Sequence, residues 1–303
     1  MAALQHIRYL RRREVDDALW NQCVDKAGNG LIYAYTGYLD HMAGNWDALV
    51  LNNYDAVMPL PWRKKWSVYY LYQPFLTAQL GVFGNDLSPE LVDAFLKAVP
   101  PKFRYWDFPL NHQNLFPLLD FPLYERMNFV LPLQAGYDVL YKGYRENIRR
   151  NIKKSRDFGC SLQRDVNIDA IIALTKNQAK EVSEPGLDAF RSVFQQLKKE
   201  GQAKSYGIVS KQGDLLASAA FVFSHHRAYY LLVGNHPNGR TLGASHALID
   251  AFIQDHAGQN LLLDFEGSDL RNLAFFYSSF GAREEKYAAI RLNRLPWWVR
   301  WLK

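Results

Sequence analysis

The chain has 303 residues, which is enough for two ordinary domains or one large domain with a substantial core. Hydrophobic residues make up 49% of it and charged residues 22%, and this balance excludes an intrinsically disordered chain. The net charge of +6 favours an anionic partner. The first residues lack the apolar core of a signal peptide, and no segment offers about 18 uncharged apolar residues. The sequence therefore predicts a cytoplasmic protein without a transmembrane helix.

Cysteine and histidine usage argues against a metal centre. Cys23 and Cys160 are single and far apart, as expected in a reducing compartment. His225 and His226 fall in a predicted strand, where neighbouring side chains face opposite sides and cannot share one metal ion. The sequence predicts no metal site and no permanently bound cofactor.

The first half of the chain predicts helices around a sheet. The expected order is a helix and loop at 16–40, two strands at 46–62 around a polar turn, a third strand at 68–74, a helix and a strand at 92–109, a second helix at 114–126 and a closing strand at 128–133.

A basic helix is predicted next, from Leu140 to the stop at Gly159. Its apolar side has residues at helical spacing, and its outer face has the densest charge of the chain: Lys142, Arg145, Arg149, Arg150, Lys153, Lys154 and Arg156. Such a face is typical of a solvated linker helix. The alternative is a landing site for a phosphate-bearing partner, either a nucleic acid or a nucleotide-linked precursor. On the second interpretation Arg145, Arg149, Arg150 and Lys153 bind substrate.

The second half of the chain repeats the first. Asp93 and Asp107 recur as Asp250 and Asp264, each 157 positions later (250 − 93 and 264 − 107), and the flanking residues recur with them. The strand, turn and strand pattern also recurs at 206–223, followed by a strand at 228–234 and a closing strand at 288–293. We therefore predict a mixed α/β architecture of two similar units, residues 1–140 and 141–303.

An anion-binding motif occurs only in the second half. Arg240, Gly243 and Ser245 lie where a helix is expected to begin, and free backbone N–H groups at a helix start bind phosphates. The corresponding residues of the first half are Phe83, Asp86 and Ser88, which place an acid there.

These residues resemble the pyrophosphate motif of the GNAT acyltransferases, Q/R-x-x-G-x-G/A, with Ser245 at the small position. The segment "NLAFFYSSFGA" is similar to their second signature, with Ala274 one position early and Tyr277 where the family often has its proton donor. Two such units with a basic stretch between them look like the Fem-type aminoacyl and peptidyl transferases. The resemblance implies an acyl-CoA or aminoacyl-tRNA donor and a cell-wall precursor as the acceptor.

The acid-rich end of the predicted strand "NLLLDFEG" supplies the remaining candidates. Asp264 and Glu266 would share one face of that strand, so either is a candidate base for the attacking amine. The backbone N–H groups near Val233 and Gly234 are candidate oxyanion donors, and Tyr277 is the candidate acid. The first unit has Pro109 and Asp120 in place of Glu266 and Tyr277, so its site is expected to be degenerate.

The leading hypothesis is thus a cytoplasmic N-acyl or aminoacyl transferase with its active centre in the second unit. The alternative is a non-catalytic protein of the same fold that holds an anionic ligand on the basic helix. The C-terminal "LPWWVRWLK" is expected either to pack against the protein or to contact a membrane surface peripherally.

Overall fold

The computed structural model describes residues 6–178, 183–267 and 269–297. Two compact units are present: unit 1 is Met1–Arg126 with Lys286–Lys303, and unit 2 is Met127–Glu285. Most of the "LPWWVRWLK" segment, residues 298–303, lies outside the described residues, so neither interpretation of it is tested.

From residue 16 to residue 109, unit 1 contains the predicted elements in the predicted order, and the strands at 7–11 and 83–84 were not predicted. Its elements are β1 (Ile7–Arg11), α1 (Asp17–Lys26), α2 (Thr36–Met42), β2 (Trp46–Leu51), β3 (Ala56–Lys65), β4 (Val68–Tyr72), β5 (Phe83–Gly84), α3 (Pro89–Ala98) and β6 (Phe103–Pro109). Asp16 caps α1, and Ser88 caps α3 with Pro89 at its first position, which are standard helix starts. A core that includes Trp106 and Phe95 packs α3 against the sheet.

Unit 2 begins in β7 (Leu123–Pro132) and ends in β13 (Arg283–Asn293), strands that cross the unit boundaries. Between them lie α4 (Tyr137–Lys142), α5 (Glu146–Asp157), β8 (Ser161–Arg164), α6 (Ile168–Gln178), α7 (Glu184–Lys199), β9 (Ala203–Val209), β10 (Leu215–Ser224), β11 (Arg227–Asn235), α8 (Pro237–Thr241), α9 (Ala244–His256), β12 (Leu262–Asp264) and α10 (Arg271–Ser278).

Each unit has one mixed sheet that is mostly antiparallel. The strand order is β1-β2-β3-β4-β6-β13 in unit 1 and β7-β12-β11-β10-β9-β8 in unit 2. One neighbouring pair in each sheet is parallel, β4 with β6 and β11 with β12, and a helix connects its two strands. The predicted mixed α/β architecture is confirmed.

The two parallel pairs have the same register. In unit 1, Tyr70 lies opposite Tyr105 and Tyr72 opposite Asp107. In unit 2, Arg227 lies opposite Leu262 and Tyr229 opposite Asp264. All four residues shift by the 157 positions found in the sequence (227 − 70, 262 − 105, 229 − 72 and 264 − 107).

The closing strands differ from the expected arrangement. The strand predicted to close the first half, in β7, pairs with β12 of unit 2, with Val130 opposite Asp264. The strand predicted to close the second half, in β13, pairs with β6 of unit 1, with Arg291 opposite Asp107. The observed units therefore do not coincide with the predicted ranges 1–140 and 141–303, because local sequence does not determine which sheet a terminal strand joins.

Two predicted helices also differ. The segment 114–126 is not a helix: the 3₁₀ turn His112–Asn114 ends at its first residue, and residues 123–126 already belong to β7. Between them, Pro117 and Pro122 lack the backbone N–H groups that a helix needs. The basic helix is interrupted at Gly143, so Tyr141 belongs to α4, and α5 does not begin until Glu146. Its predicted end is confirmed, since Gly159 has a left-handed φ of 70°.

No helix in the described ranges is both long and apolar enough to cross a bilayer.

Candidate functional site

The central feature of unit 2 is an opening between β11 and β12. The two strands pair only from Arg227 to Tyr229, opposite Leu262 to Asp264, where β12 ends. The last six residues of β11 therefore continue without β12 beside them. On that side of β11, side chains of α6 bind two backbone groups: Thr175 Oγ1 donates to the Val233 carbonyl (3.1 Å), and the Asn235 N–H donates to Gln178 Oε1 (2.8 Å). The Val233 N–H is not bound to a strand in the described part of the chain.

A β-bulge lies in this part of β11, which still pairs with β10. Ala220 pairs with Leu232 and Phe221 with Tyr230, so Leu231 is the extra residue. His236 N–H donates to the Leu216 carbonyl of β10. Because antiparallel hydrogen bonds alternate along the strand, the N–H of Gly234 faces β10 and that of Val233 faces the opening. Of the two candidate oxyanion donors, Val233 has the suitable direction.

The start of α9 lies next to the end of β11, where the anion motif was predicted. Gly243 is its N-cap residue with φ of 70°, and Ser245 Oγ donates to Asn235 Oδ1 at 2.5 Å, joining the helix to the strand. The N–H groups of Ala244 and Ser245 donate to no carbonyl in the described part of the chain. Arg240 lies exposed on the preceding short helix α8.

Gly243 is required for a second reason. A Cβ atom at this position would lie 2.4 Å from the carbonyl oxygen of Asn151 in α5. The glycine therefore allows α5 and the start of α9 to approach closely, with Ile148 and Ile152 of α5 buried in the core below.

Glu266 lies outside the strand that was expected to carry it. Since β12 ends at Asp264 and Glu266 has a left-handed φ of 66°, the alternation of a strand does not place both carboxylates on one face. The turn is held by a hydrogen bond from Glu266 N–H to Asp264 Oδ1 (2.8 Å). Glu266 itself is half-buried.

Asp264 belongs to a buried ionic network. Arg227 Nη1 binds Asp264 Oδ2 at 2.6 Å and Glu285 Oε2 at 2.8 Å. Asn128 Nδ2 donates to the other Asp264 oxygen (2.9 Å), and Asn128 Oδ1 accepts from Gly267 N–H (2.6 Å). Burial alone would lower the pKa of Arg227, but the charges of Asp264 and Glu285 raise it well above its ordinary value.

Tyr277 is a core aromatic with an acidic neighbour. Only 8% of it is exposed, and its ring stacks on Phe265 with centroids 4.5 Å apart. Burial, with a smaller contribution from the charge of Glu266, raises the pKa of Tyr277 to about 12. The hydroxyl is therefore protonated at neutral pH.

His246 follows Ser245 in α9 and lies against α10. Its ring meets that of Phe276 edge to face at 5.0 Å, and its Nδ1 atom is buried without a hydrogen-bond partner among the described residues. Burial lowers the pKa of His246 to about 4, so the ring is neutral. It joins the helix that carries the anion motif to the helix that carries Tyr277.

The basic face of α5 forms a separate groove of about 490 Å³. Arg149, Arg150 and Lys153 line it and are exposed, and Tyr141 forms part of its apolar surface. Arg145, the N-cap residue, points elsewhere and lies over the Phe275 ring of α10 at 4.7 Å.

Most of the predicted site residues fall into three groups. Val233, Gly243 and Ser245 lie where β11 ends and α9 begins, and Tyr277 lies near Glu266. The third group, Arg149, Arg150 and Lys153, lines the separate groove. Asp264, in the buried ionic network, and Arg145, over the Phe275 ring, lie apart from these groups. In the described ranges no group of His, Cys, Asp and Glu side chains is arranged to hold a metal ion.

Arg227, Asn128, Glu285 and His246 were not identified from the sequence. A signal existed for Arg227, because it is the one charged residue of an apolar strand and a buried arginine requires carboxylate partners.

We expect Arg227→Met to destabilise the protein by about 3–5 kcal/mol, since it leaves two carboxylates without their buried partner. Arg164→Met is the matched control. Arg164 also forms a bidentate salt bridge, with distances of 2.8 and 2.7 Å to Asp255. Because Arg164 is exposed, its replacement should lower the free energy of unfolding by only about 0–1 kcal/mol. Urea unfolding of both variants measures the difference, and equal losses would contradict the structural importance of the network.

A known family model matches most of unit 2. Residues 142–271 match the family model described as an Acetyltransferase (GNAT) domain. No curated protein sequence matches the chain.

Solved structures extend the similarity to nearly the whole chain. FemX is 13% identical, with 93% of this chain and 97% of that chain covered and a TM-score of 0.65. L-PGS from Bacillus licheniformis is 10% identical, with 93% of each chain covered and a TM-score of 0.56. A tandem GNAT protein from the clavulanic acid biosynthesis pathway is 12% identical, with 96% and 99% covered and a TM-score of 0.54. The chain therefore has the GNAT-type fold of FemX and of the tandem GNAT protein, as the sequence predicted.

Proposed function

We propose that this chain is an acyltransferase whose donor lies in the opening between β11 and β12 of unit 2. The observation that carries the proposal is the early end of β12 at Asp264, which leaves the bulged end of β11 open beside the start of α9. The GNAT domain match over residues 142–271 supports an acyl transfer as the reaction.

The start of α9 suits the phosphate groups of a donor. The unpaired N–H groups of Ala244 and Ser245, the positive end of the helix dipole and the exposed Arg240 all favour an anion. This chemistry accepts the pyrophosphate of acyl-CoA or the phosphates at the end of an aminoacyl-tRNA. Either donor is a substrate, not a resident cofactor.

The proposed reaction transfers the acyl group to an amine. Glu266 accepts the proton of the attacking ammonium group, and the Val233 N–H stabilises the oxyanion of the tetrahedral intermediate. Tyr277 protonates the leaving group as that intermediate collapses. Asp264, whose oxygens are bonded to Arg227, Asn128 and the Glu266 backbone, acts by positioning Glu266.

The buried Tyr277 hydroxyl is a proton donor for either leaving group. Burial and the nearby charge of Glu266 raise its pKa, so it is protonated when the intermediate collapses to a thiolate or to a ribose alkoxide. The exposed cations of the α5 groove support an aminoacyl-tRNA donor, because its phosphate backbone would supply anions for a second basic surface.

We expect Arg240→Ala to weaken donor binding about 10–100-fold, because a charge-assisted contact is lost. Thermal shift with acetyl-CoA, longer acyl-CoA, free CoA and an aminoacyl-tRNA measures it, since a bound donor raises the melting temperature. Arg283→Ala, an exposed arginine of the same unit, is the control. A shift with CoA species alone would contradict the aminoacyl-tRNA donor, and a shift that Arg240→Ala leaves intact would contradict the assigned anion site.

Glu266→Gln and Tyr277→Phe should each reduce kcat about 10²–10⁴-fold. Both keep the shape of the side chain, and Tyr277→Phe keeps the stacking on Phe265, so the melting temperature should change little. Turnover is measured with the donor that binds and a panel of amines. Wild-type protein that binds donor without turnover, with affinity unchanged in both variants, would instead support the non-catalytic binding protein.

The α5 groove is proposed to bind the tRNA backbone. Replacing Arg149, Arg150 and Lys153 by Gln should lower the slope of log K against log salt by about 2–3, because three phosphate contacts are lost. The control replaces three exposed lysines elsewhere in unit 2, Lys198, Lys199 and Lys211. Equal slopes in the two triple variants would contradict a specific role for the groove.

A further inference from the structure

The hairpin between β3 and β4 of unit 1 ends in an unusual turn. Lys65 pairs with Val68, and the two residues between them, Trp66 and Ser67, have left-handed φ values of 46° and 65°. This is the two-residue type I′ turn, which Asn-Gly sequences favour. A bulky residue such as tryptophan is strained in that conformation.

Neither core packing nor turn geometry explains why residue 66 is a tryptophan. Trp66 is 73% exposed, so its ring contributes little to the core. The hairpin between β10 and β11 of unit 2 makes the same kind of turn with His225 and His226, at φ of 49° and 53°. A tryptophan is therefore not needed for this geometry, and its presence at the tip calls for another role.

Three consecutive cations precede the turn: Arg63, Lys64 and Lys65. All are exposed, and each lies over an aromatic ring, that of Tyr72 at 4.2 Å, of Tyr69 at 5.1 Å and of Trp66 at 4.9 Å respectively. None is ion-paired to a carboxylate in the ranges that the structure describes. The tip thus combines an exposed indole with three positive charges that have no acidic partner.

We propose that this hairpin tip, residues 63–67, docks on an anionic lipid surface. An indole ring is favoured at the boundary between headgroups and acyl chains, and the cations behind it are attracted to anionic headgroups. A single convex tip suits a flat, deformable surface. Single-stranded nucleic acid is typically held in a groove with several stacking rings, whereas here only the Trp66 ring is exposed, and Tyr69 and Tyr72 are half-buried beneath Lys64 and Arg63.

Cosedimentation with vesicles tests the proposal. We expect the full chain to bind vesicles of phosphatidylcholine that contain about 30% phosphatidylglycerol by weight, and not to bind vesicles of phosphatidylcholine alone. Replacing Arg63, Lys64 and Lys65 by Gln should lower the partition coefficient roughly 100-fold. Trp66→Ala should lower it roughly tenfold, and Trp66→Phe should restore part of the loss.

A second variant separates docking from folding. Trp66→Asn with Ser67→Gly introduces the residues that the turn favours, so the melting temperature should stay the same or rise. Vesicle binding should nevertheless fall about as much as in Trp66→Ala. Leu119→Ala, at a fully exposed apolar residue of the same unit, should leave binding unchanged.

Several results would overturn the proposal. One is wild-type binding by the Asn-Gly variant. Another is an equal loss of vesicle binding when Arg149, Arg150 and Lys153 of α5 are replaced, since that variant removes the same charge from a different surface.

Two further results would assign the contact differently. Loss of vesicle binding in Trp297→Ala instead of Trp66→Ala would move the membrane contact to the C-terminal segment. Hairpin-dependent binding of an RNA oligonucleotide without vesicle binding would assign the tip to nucleic acid.

Discussion

The buried guanidinium of Arg227 is the interaction on which the candidate site depends. It binds the carboxylates of Asp264 and Glu285 where little solvent reaches them. Asp264 in turn accepts the Glu266 N–H, which turns the chain out of the strand through a left-handed residue. Because β12 ends there, β11 continues with β10 on one side and without β12 on the other. One ionic network thus converts a parallel strand pair into a cleft with a carboxylate at its edge.

Local signals in the sequence were sufficient for much of this architecture. The offset of 157 positions predicted two similar sheets, and both parallel pairs have that offset in their register. The helix start at Gly243 was also predictable, because glycine marks a left-handed position and the apolar periodicity begins directly after it. Periodicity and glycine placement are properties of a short stretch, so they can be identified without the rest of the fold.

Features that depend on distant partners were not predictable in this way. The exchange of closing strands follows from the pairing of β7 with β12 and of β13 with β6, and nothing within either strand specifies its neighbour. The placement of Glu266 was wrong for the same reason. An apolar run ending in "DFEG" predicts a longer strand, and only Asn128 and Arg227, far away in sequence, hold Asp264 and Gly267 so that the strand ends earlier.

Comparison of the two units indicates what the buried arginine is for. Unit 1 keeps the same register between its parallel strands with Tyr70 in the position of Arg227. Its Asp107, the counterpart of Asp264, is paired with Arg291 at the surface, where the side chains are 35% and 66% exposed. The register therefore does not require a buried ion pair, which is an expensive way to hold strands together. What unit 2 has in addition is the fixed turn at Glu266, so the arginine is best understood as supporting the site and not the sheet.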